Sequence, residues 1–206
     1  MSEKSSNSLI KNIKLFIFLL SLFPLTRLIY LGSNDALGAN PIEFLERSTG
    51  TWALVFLMIS LSMTPFRQWC GFNEFIQFRR MLGLYMFFYA CLHIICYVWL
   101  DHWFDLYEIA NDITKHPYVL VGFTAFLLSI PLAITSTKAM MKRLGGRWKS
   151  LHRLIYLISV LAVLHFLWLV KKDHTEPLIY AAVFLSLIAL RIAYKYRTHL
   201  NLSILR

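Results

Sequence analysis

Residues 82–100 read LGLYMFFYACLHIICYVWL. The run carries no formal charge, and its one ionisable group that titrates near neutrality is His93. A helix of this length covers about 28 Å at 1.5 Å per residue, close to the ~30 Å hydrocarbon core of a bilayer. Five further stretches have the same character: 15–31, 52–66, 118–135, 151–170 and 178–194. The second is short and has room to begin nearer Thr49. Water is absent from the bilayer core, so backbone groups there must pair within the segment, and each stretch reads as a helix. The connections are too short for a soluble domain. The expected fold is an all-α membrane protein, one domain over 1–206, built as a six-transmembrane-helix bundle.

Composition agrees. Of 206 residues, 58% are hydrophobic and 16% charged, against about 45–50% and about 25% in a soluble domain. Mean hydropathy is +0.57. Three cysteines cannot build a disulfide scaffold, and Cys70, Cys91 and Cys96 read as small buried or reduced thiols. The net charge of +10 would suggest nucleic acid in a soluble protein, but no basic stripe lies outside the loops. The cations instead report orientation. With the N-terminus inside, the inner segments hold sixteen of the twenty-one Lys and Arg, among them Arg67, Arg79, Arg80, Lys142, Arg143, Arg147, Arg191 and Lys195. Nine of the eleven acids fall outside, including Asp101, Asp105, Glu108 and Asp112. That bias places both termini in the cytoplasm. Lys4, Lys11 and Lys14 before span 1 resemble a signal peptide's basic start, but no convincing cleavage site follows, so span 1 reads as an uncleaved anchor. Pro24, Pro65 and Pro131 are candidate breaks in their spans.

Seven histidines sort by depth. His102, His116 and His174 fall in outer loops and His199 in the tail, where the ordinary reading is a solvated side chain. His93 and His165 lie within spans 3 and 5, where an ionisable residue is a functional hypothesis by default. Both spans run from inside to outside, and the two residues stand equally far from Arg80 and His152 at the inner ends. They should therefore face each other at one level, toward the outer half of the bilayer. Two neutral imidazoles on opposite helices are the axial ligand set of a six-coordinate b-type haem, each ring held by an acceptor behind it. A zinc-type site fits less well, since no Cys or carboxylate joins the pair. His152 stands at the start of span 5. On a continuous helix it would lie about 140° around from His165, and its level on span 3 offers Arg79 and Arg80. Arginine is a poor iron ligand but binds haem propionates. A lone ligand to a second haem, a ligand paired with an unexpected group, and a quinone or flavin contact all remain open for His152. Tyr89 and Tyr97 flank His93 by one helical step, either lining its pocket or packing in the core. Gly145-Gly146 is too short for a dinucleotide loop, so hydride transfer from NAD(P)H within this chain is not expected.

Several stretches together carry a family resemblance. They are Arg79-Arg80-Met81-Leu82-Gly83-Leu84 leading into His93, Thr135-Ser136-Thr137-Lys138-Ala139-Met140, and the run 144–156, LGGRWKSLHRLIY. Leu164-His165-Phe166-Leu167-Trp168, Pro177-Leu178-Ile179-Tyr180, Gly38-Ala39-Asn40-Pro41 and His116-Pro117-Tyr118 extend it over nearly the whole chain. The sequence resembles the MsrQ (YedZ) haem-binding subunits of methionine sulfoxide reductase systems, within the ferric-reductase-like transmembrane domains. The resemblance implies one b haem, or two, with the family's haem-associated histidines carried onto His93, His152 and His165. It also implies FMN. Electrons would enter from the quinol pool or a cytoplasmic flavin reductase. They would leave to MsrP, a periplasmic molybdopterin enzyme that repairs oxidised methionines in proteins of the cell envelope. The chain would then be the electron-transfer subunit in the bacterial inner membrane and not the methionine sulfoxide reductase itself. Relatives with two haems carry two histidines on helix 3, and this chain has His93 alone. Outer segments 32–50, 101–117 and 171–177 are the expected partner-facing surface. The competing readings are a cytochrome b561-like quinol or ferric reductase without a dedicated partner, and a small proton-coupled transporter using His93 and His165 as a relay.

Overall fold

All six apolar stretches fold as helices in the computed structural model, which describes residues 3–71 and 73–204, with side chains of 3–7, 73 and 199–204 left out of the description. Span 1 is α1 (Glu3–Ser33), span 2 is α2 (Pro41–Cys70) and span 3 is α3 (Ile76–Ile95), which continues as a π-helical segment, Cys96–Asp101. A short helix, α4 (Leu106–Lys115), then precedes span 4, α5 (Pro117–Ile134). Two short helices follow, α6 (Lys138–Leu144) and α7 (Gly146–Leu151); span 5 runs over Gly146–Leu169 through α7 and α8 (Leu154–Leu169), and α9 (Thr175–Ile204) is span 6. The chain is a multi-pass membrane protein with six helices long and apolar enough to cross a bilayer. Lys4, His199 and Arg206, used above in the charge and histidine readings, fall where side chains are not described.

The helices run further than hydropathy suggests. Span 2 begins at Pro41, not near Thr49 or Trp52, because Asn40 caps it through its side chain and proline suits the first turn. Of the expected outer segment 32–50, residues 41–50 are thus all helix, and segment 101–117 contains α4, started by Asp105 accepting from the backbone N–H groups of Tyr107 and Glu108. Span 5 is the opposite case. It is interrupted at His152 and Arg153, so the continuous-helix angle between His152 and His165 does not apply. None of the three prolines breaks its span.

α2 and α3 pack as one pair around Phe56, Leu57, Leu61, Leu82, Tyr85 and Tyr89, and α5 and α8 as a second pair around Ala125, Leu132 and Ile158. α1 and α9 flank the first pair. α1 is held by α3 through two phenols. Tyr85 donates to the Phe18 carbonyl at 2.9 Å. The Tyr89 hydroxyl donates to the Ser21 carbonyl at 2.8 Å and accepts from Leu25 N–H at 3.2 Å. In an uninterrupted helix Ser21 C=O and Leu25 N–H would bond each other. Next to Pro24 a phenol from a neighbouring helix contacts both groups, and Tyr89 is 0% exposed. Tyr89 is therefore a core residue turned toward α1 and not part of the wall around His93.

Replacing Tyr89 with Phe leaves that donor and that acceptor without a bridge in a low-dielectric interior, at about 1–3 kcal/mol. The Tyr89→Phe protein is expected to melt several degrees lower in detergent by circular dichroism. An unchanged midpoint would mean that α1 closes its own helical bond there.

Candidate functional site

His93 and His165 meet between the two helix pairs. Their ring centroids are 6.2 Å apart and their planes are inclined at 72°. Behind each ring is a backbone carbonyl of the partner helix in its own pair. His93 Nδ1 lies 3.0 Å from the Glu46 carbonyl on α2, and His165 Nδ1 lies 2.7 Å from the Tyr118 carbonyl on α5. A carbonyl can only accept, so both Nδ1 atoms carry the proton and both Nε2 atoms keep a lone pair. The expected acceptor behind each imidazole is thus present.

The approach of the rings to those helices depends on two glycines. A Cβ on Gly50 would sit 3.2 Å from His93 Nδ1, and one on Gly122 would sit 2.6 Å from His165 Nδ1. Each glycine lies one helical turn after the accepting carbonyl, Gly50 after Glu46 and Gly122 after Tyr118. The accepting residue precedes its histidine by 47 residues in both cases. The two helix pairs therefore carry the same three-part device of carbonyl, glycine and histidine. The glycines escaped the sequence reading because glycine is common in membrane helices.

The centroid separation is the one that two imidazoles would need to hold one metal between them: metal–imidazole bonds are about 2.0–2.1 Å and an imidazole nitrogen lies roughly 1 Å from its ring centre, which gives about 6 Å. The structure brings no third imidazole to the pair. His152 lies in the turn between α7 and α8, with its ring stacked on Trp148 at 4.0 Å and its Nε2 3.0 Å from Thr135 Oγ1. Thr135 Oγ1 donates to the Pro131 carbonyl at 2.6 Å, so it accepts from His152 Nε2–H. Nδ1 is then the lone-pair nitrogen of His152. Arg79 is half-buried at the start of α3 and Arg80 is exposed.

At the end of the bundle nearer the histidine pair, a polar cluster ties α3, α4 and α5 together. Tyr97 donates to Asp112 Oδ2 at 2.7 Å, and His116 Nδ1 lies 2.6 Å from Asp112 Oδ1. Tyr97 therefore turns to α4 instead of lining the histidine site. His102 is not the solvated loop residue expected. Its side chain is only 11% exposed, its ring lies against Tyr97 with centroids 4.4 Å apart and planes inclined at 48°, and its Nδ1–H donates to the Tyr97 carbonyl. Tyr118, not singled out from the sequence, lies beside His165 with ring centroids 6.2 Å apart. Cys70, Cys91 and Cys96 are free thiols, with Cys70 exposed.

Comparison with known proteins bears on this arrangement. Residues 49–163 match the family described as ferric reductase like transmembrane component. A protein of Herminiimonas arsenicoxydans named protein-methionine-sulfoxide reductase heme-binding subunit MsrQ is 47% identical over 188 residues, covering 90% of this chain and 86% of that one. The Ralstonia nicotianae protein of the same name is 48% identical, over 91% and 88% of the two chains. The one from Xanthomonas campestris pv. campestris is 52% identical over 162 residues, 77% and 73% of the two. No solved structure matches the chain. The chain belongs to the MsrQ family, within the ferric-reductase-like transmembrane components.

The glycine device makes a graded demand. Gly122→Ala forces the His165 ring off the Tyr118 carbonyl and is expected to destabilise by about 1–3 kcal/mol. Gly50→Ala, where the neighbour must give by less, should cost less. Thermal midpoints of the two variants in detergent check the order, and equal or absent effects would remove the glycines from the site.

Proposed function

We propose that this chain is a b-haem electron carrier, with His93 and His165 as the residues that would hold the haem iron. The supporting observation is the imidazole pair at 6.2 Å, with both Nδ1–H groups committed to carbonyls and both Nε2 lone pairs left over. Haem b, when bound, supplies a one-electron couple. The protein supplies the rest. The Glu46 and Tyr118 carbonyls fix each ring's tautomer and orientation, and a hydrogen-bonded Nδ1–H makes Nε2 a stronger donor. Because the two rings belong to different helix pairs, the ligands are set by packing before any metal arrives. Family membership supports the same reading, since the relatives are named for haem binding in a methionine sulfoxide reductase.

On this reading the electron acceptor is the periplasmic molybdopterin reductase MsrP, and the donor is the quinol pool or a cytoplasmic flavin reductase, with FMN as a further cofactor. The charge asymmetry supports an inner-membrane chain with both termini cytoplasmic. The histidine pair then lies toward the periplasm, beside acidic connections that carry Asp101, Asp105 and Glu108. A periplasmic partner would approach 34–40, the turn and helix over 101–117, and 171–177. Arg79 and Arg80, at the level of His152 and about 21 Å along α3 from His93, remain candidates for the propionates of a second haem only, and His152 for that haem or for a flavin or quinone contact. Its commitment to Thr135 favours the one-haem form.

A dithionite-reduced minus oxidised spectrum with pyridine haemochrome quantification tests this directly. Near one b haem per chain is expected. His93→Ala and His165→Ala should each abolish the low-spin signal while the protein still inserts, and His152→Ala should keep it. Retention of the signal in both of the first two variants would sink the ligand assignment. For orientation, alkaline phosphatase fused after Lys172 should be active and fused after Thr198 inactive. The reverse pattern would move the site to the cytoplasmic side.

A further inference from the structure

The end of the bundle away from the histidine pair holds a cavity of about 460 Å³ among α2, α3, α8 and α9. Its charged lining is Arg79, Arg191 and Lys195, and no carboxylate lines it. Among the described residues none of these three cations has a salt bridge to a carboxylate. Arg191 is fixed in place. Pro65 has no N–H to give the Leu61 carbonyl one turn earlier, and the Arg191 guanidinium donates to that carbonyl and to the Tyr156 hydroxyl. It also lies over the Tyr156 ring at 5.2 Å. Its Nε is left over.

The leftover groups gather here. Four buried side-chain polar atoms among the described residues lack a partner: Glu46 Oε1, Thr64 Oγ1, Gln68 Oε1 and Arg191 Nε. The last three belong to residues that line this cavity. Buried polar groups are normally paired, and a run of exceptions at one place marks a site where water, an ion or a ligand supplies the partners. The amide of Gln68 can rotate to present its NH₂, so hydroxyl, amide, guanidinium and ammonium groups all supply donors. Three positive charges with no counter-charge call for an anion. A carboxylate offers two oxygens in one plane, whereas a phosphate group offers two or three about a tetrahedral centre, which suits donors on separate helices; a phosphodiester carries one negative charge and a monoester about 1.5–2.

We propose that this cavity binds the phosphate group of a larger organic ligand. A phosphate alone fills only part of a volume that lies within the ~300–1,000 Å³ range of small-molecule sites, and Tyr156 and Tyr194 supply aromatic surface for the remainder. Two sources share this chemistry: the phosphate of a mononucleotide such as FMN, and a phospholipid headgroup. The mononucleotide source rests on the flavin of the proposed function, while the anion site itself does not. Arg79 is then drawn toward this ligand and away from a haem propionate.

The test uses the purified full-length protein and readouts that do not involve haem. Binding of FMN, riboflavin and inorganic phosphate is measured by calorimetry, and retention of phosphatidylglycerol against phosphatidylcholine by native mass spectrometry. The variants are Lys195→Gln, an exposed position whose loss should leave folding intact, and Arg79→Gln/Lys195→Gln, with Lys172→Gln as the control at the opposite end. For a mononucleotide, FMN binds about tenfold or more tighter than riboflavin, and the double variant removes that margin while Lys172→Gln keeps it. For a lipid, phosphatidylglycerol is retained selectively and is lost in the double variant, with FMN indifferent. If no probe distinguishes wild type from either cavity variant, with melting curves unchanged, the proposal is overturned. An absent haem spectrum would defeat the proposed function without touching this result.

Discussion

The second lone pair of the backbone carbonyl is the feature on which this bundle depends. Lipid offers no hydrophobic drive between helices, since a lipid tail is as apolar as leucine. Each helix uses one lone pair of each carbonyl internally and leaves another available. The contacts between segments exploit that reserve again and again. Tyr85 donates to Phe18, Tyr89 to Ser21, Ser60 to Arg79, His93 to Glu46, His165 to Tyr118, Trp69 to Leu190 and Trp148 to Thr135, in every case at the carbonyl. Arg191 does the same at Leu61, a carbonyl that Pro65 leaves without its helical donor. His93 and His165 are thus two cases of the general way this protein joins its helices. What sets them apart is the nitrogen they leave free.

This mode of adhesion explains which parts of the fold were legible in the sequence. The six spans were, because hydropathy over ~20 residues reports the solvent directly. The level pairing of His93 and His165 was, because a helix has a fixed rise and two buried imidazoles are costly. The carbonyl partners were not, since every residue has a carbonyl and none is marked by its side chain. Gly50 and Gly122 could have been found only by asking which positions stand one turn after a candidate acceptor. The ends of α2 and the presence of α4 depended on Asn40 and Asp105, single capping residues in segments too polar for a hydropathy scan.

The arrangement also separates two kinds of chemistry along the membrane normal. α3 carries Arg79 in its first turn and His93 near its end, about 21 Å apart at the helical rise. At one end the paired imidazoles are neutral donors with acidic connections nearby. At the other, three cations with no carboxylate partner among the described residues line a cavity. The two clusters stand about two Debye lengths apart at physiological salt, so each keeps its own electrostatic surroundings.

His152 shows how the family-like run 144–156 achieves its position. Gly145, at φ 51° and ψ −122°, takes a backbone conformation that a side chain would oppose, and it turns the chain sharply between α6 and α7. Trp148 then donates its indole N–H to the Thr135 carbonyl and stacks on His152, while His152 donates to the Thr135 hydroxyl. The run is therefore a clamp on the C-terminal end of α5. The pair α5 and α8 is joined by a histidine near each end: His152 at the Thr135 hydroxyl where α5 finishes, and His165 at the Tyr118 carbonyl where α5 begins. Both contacts use one ring nitrogen for the helix pair and leave the other free, Nδ1 in His152 and Nε2 in His165.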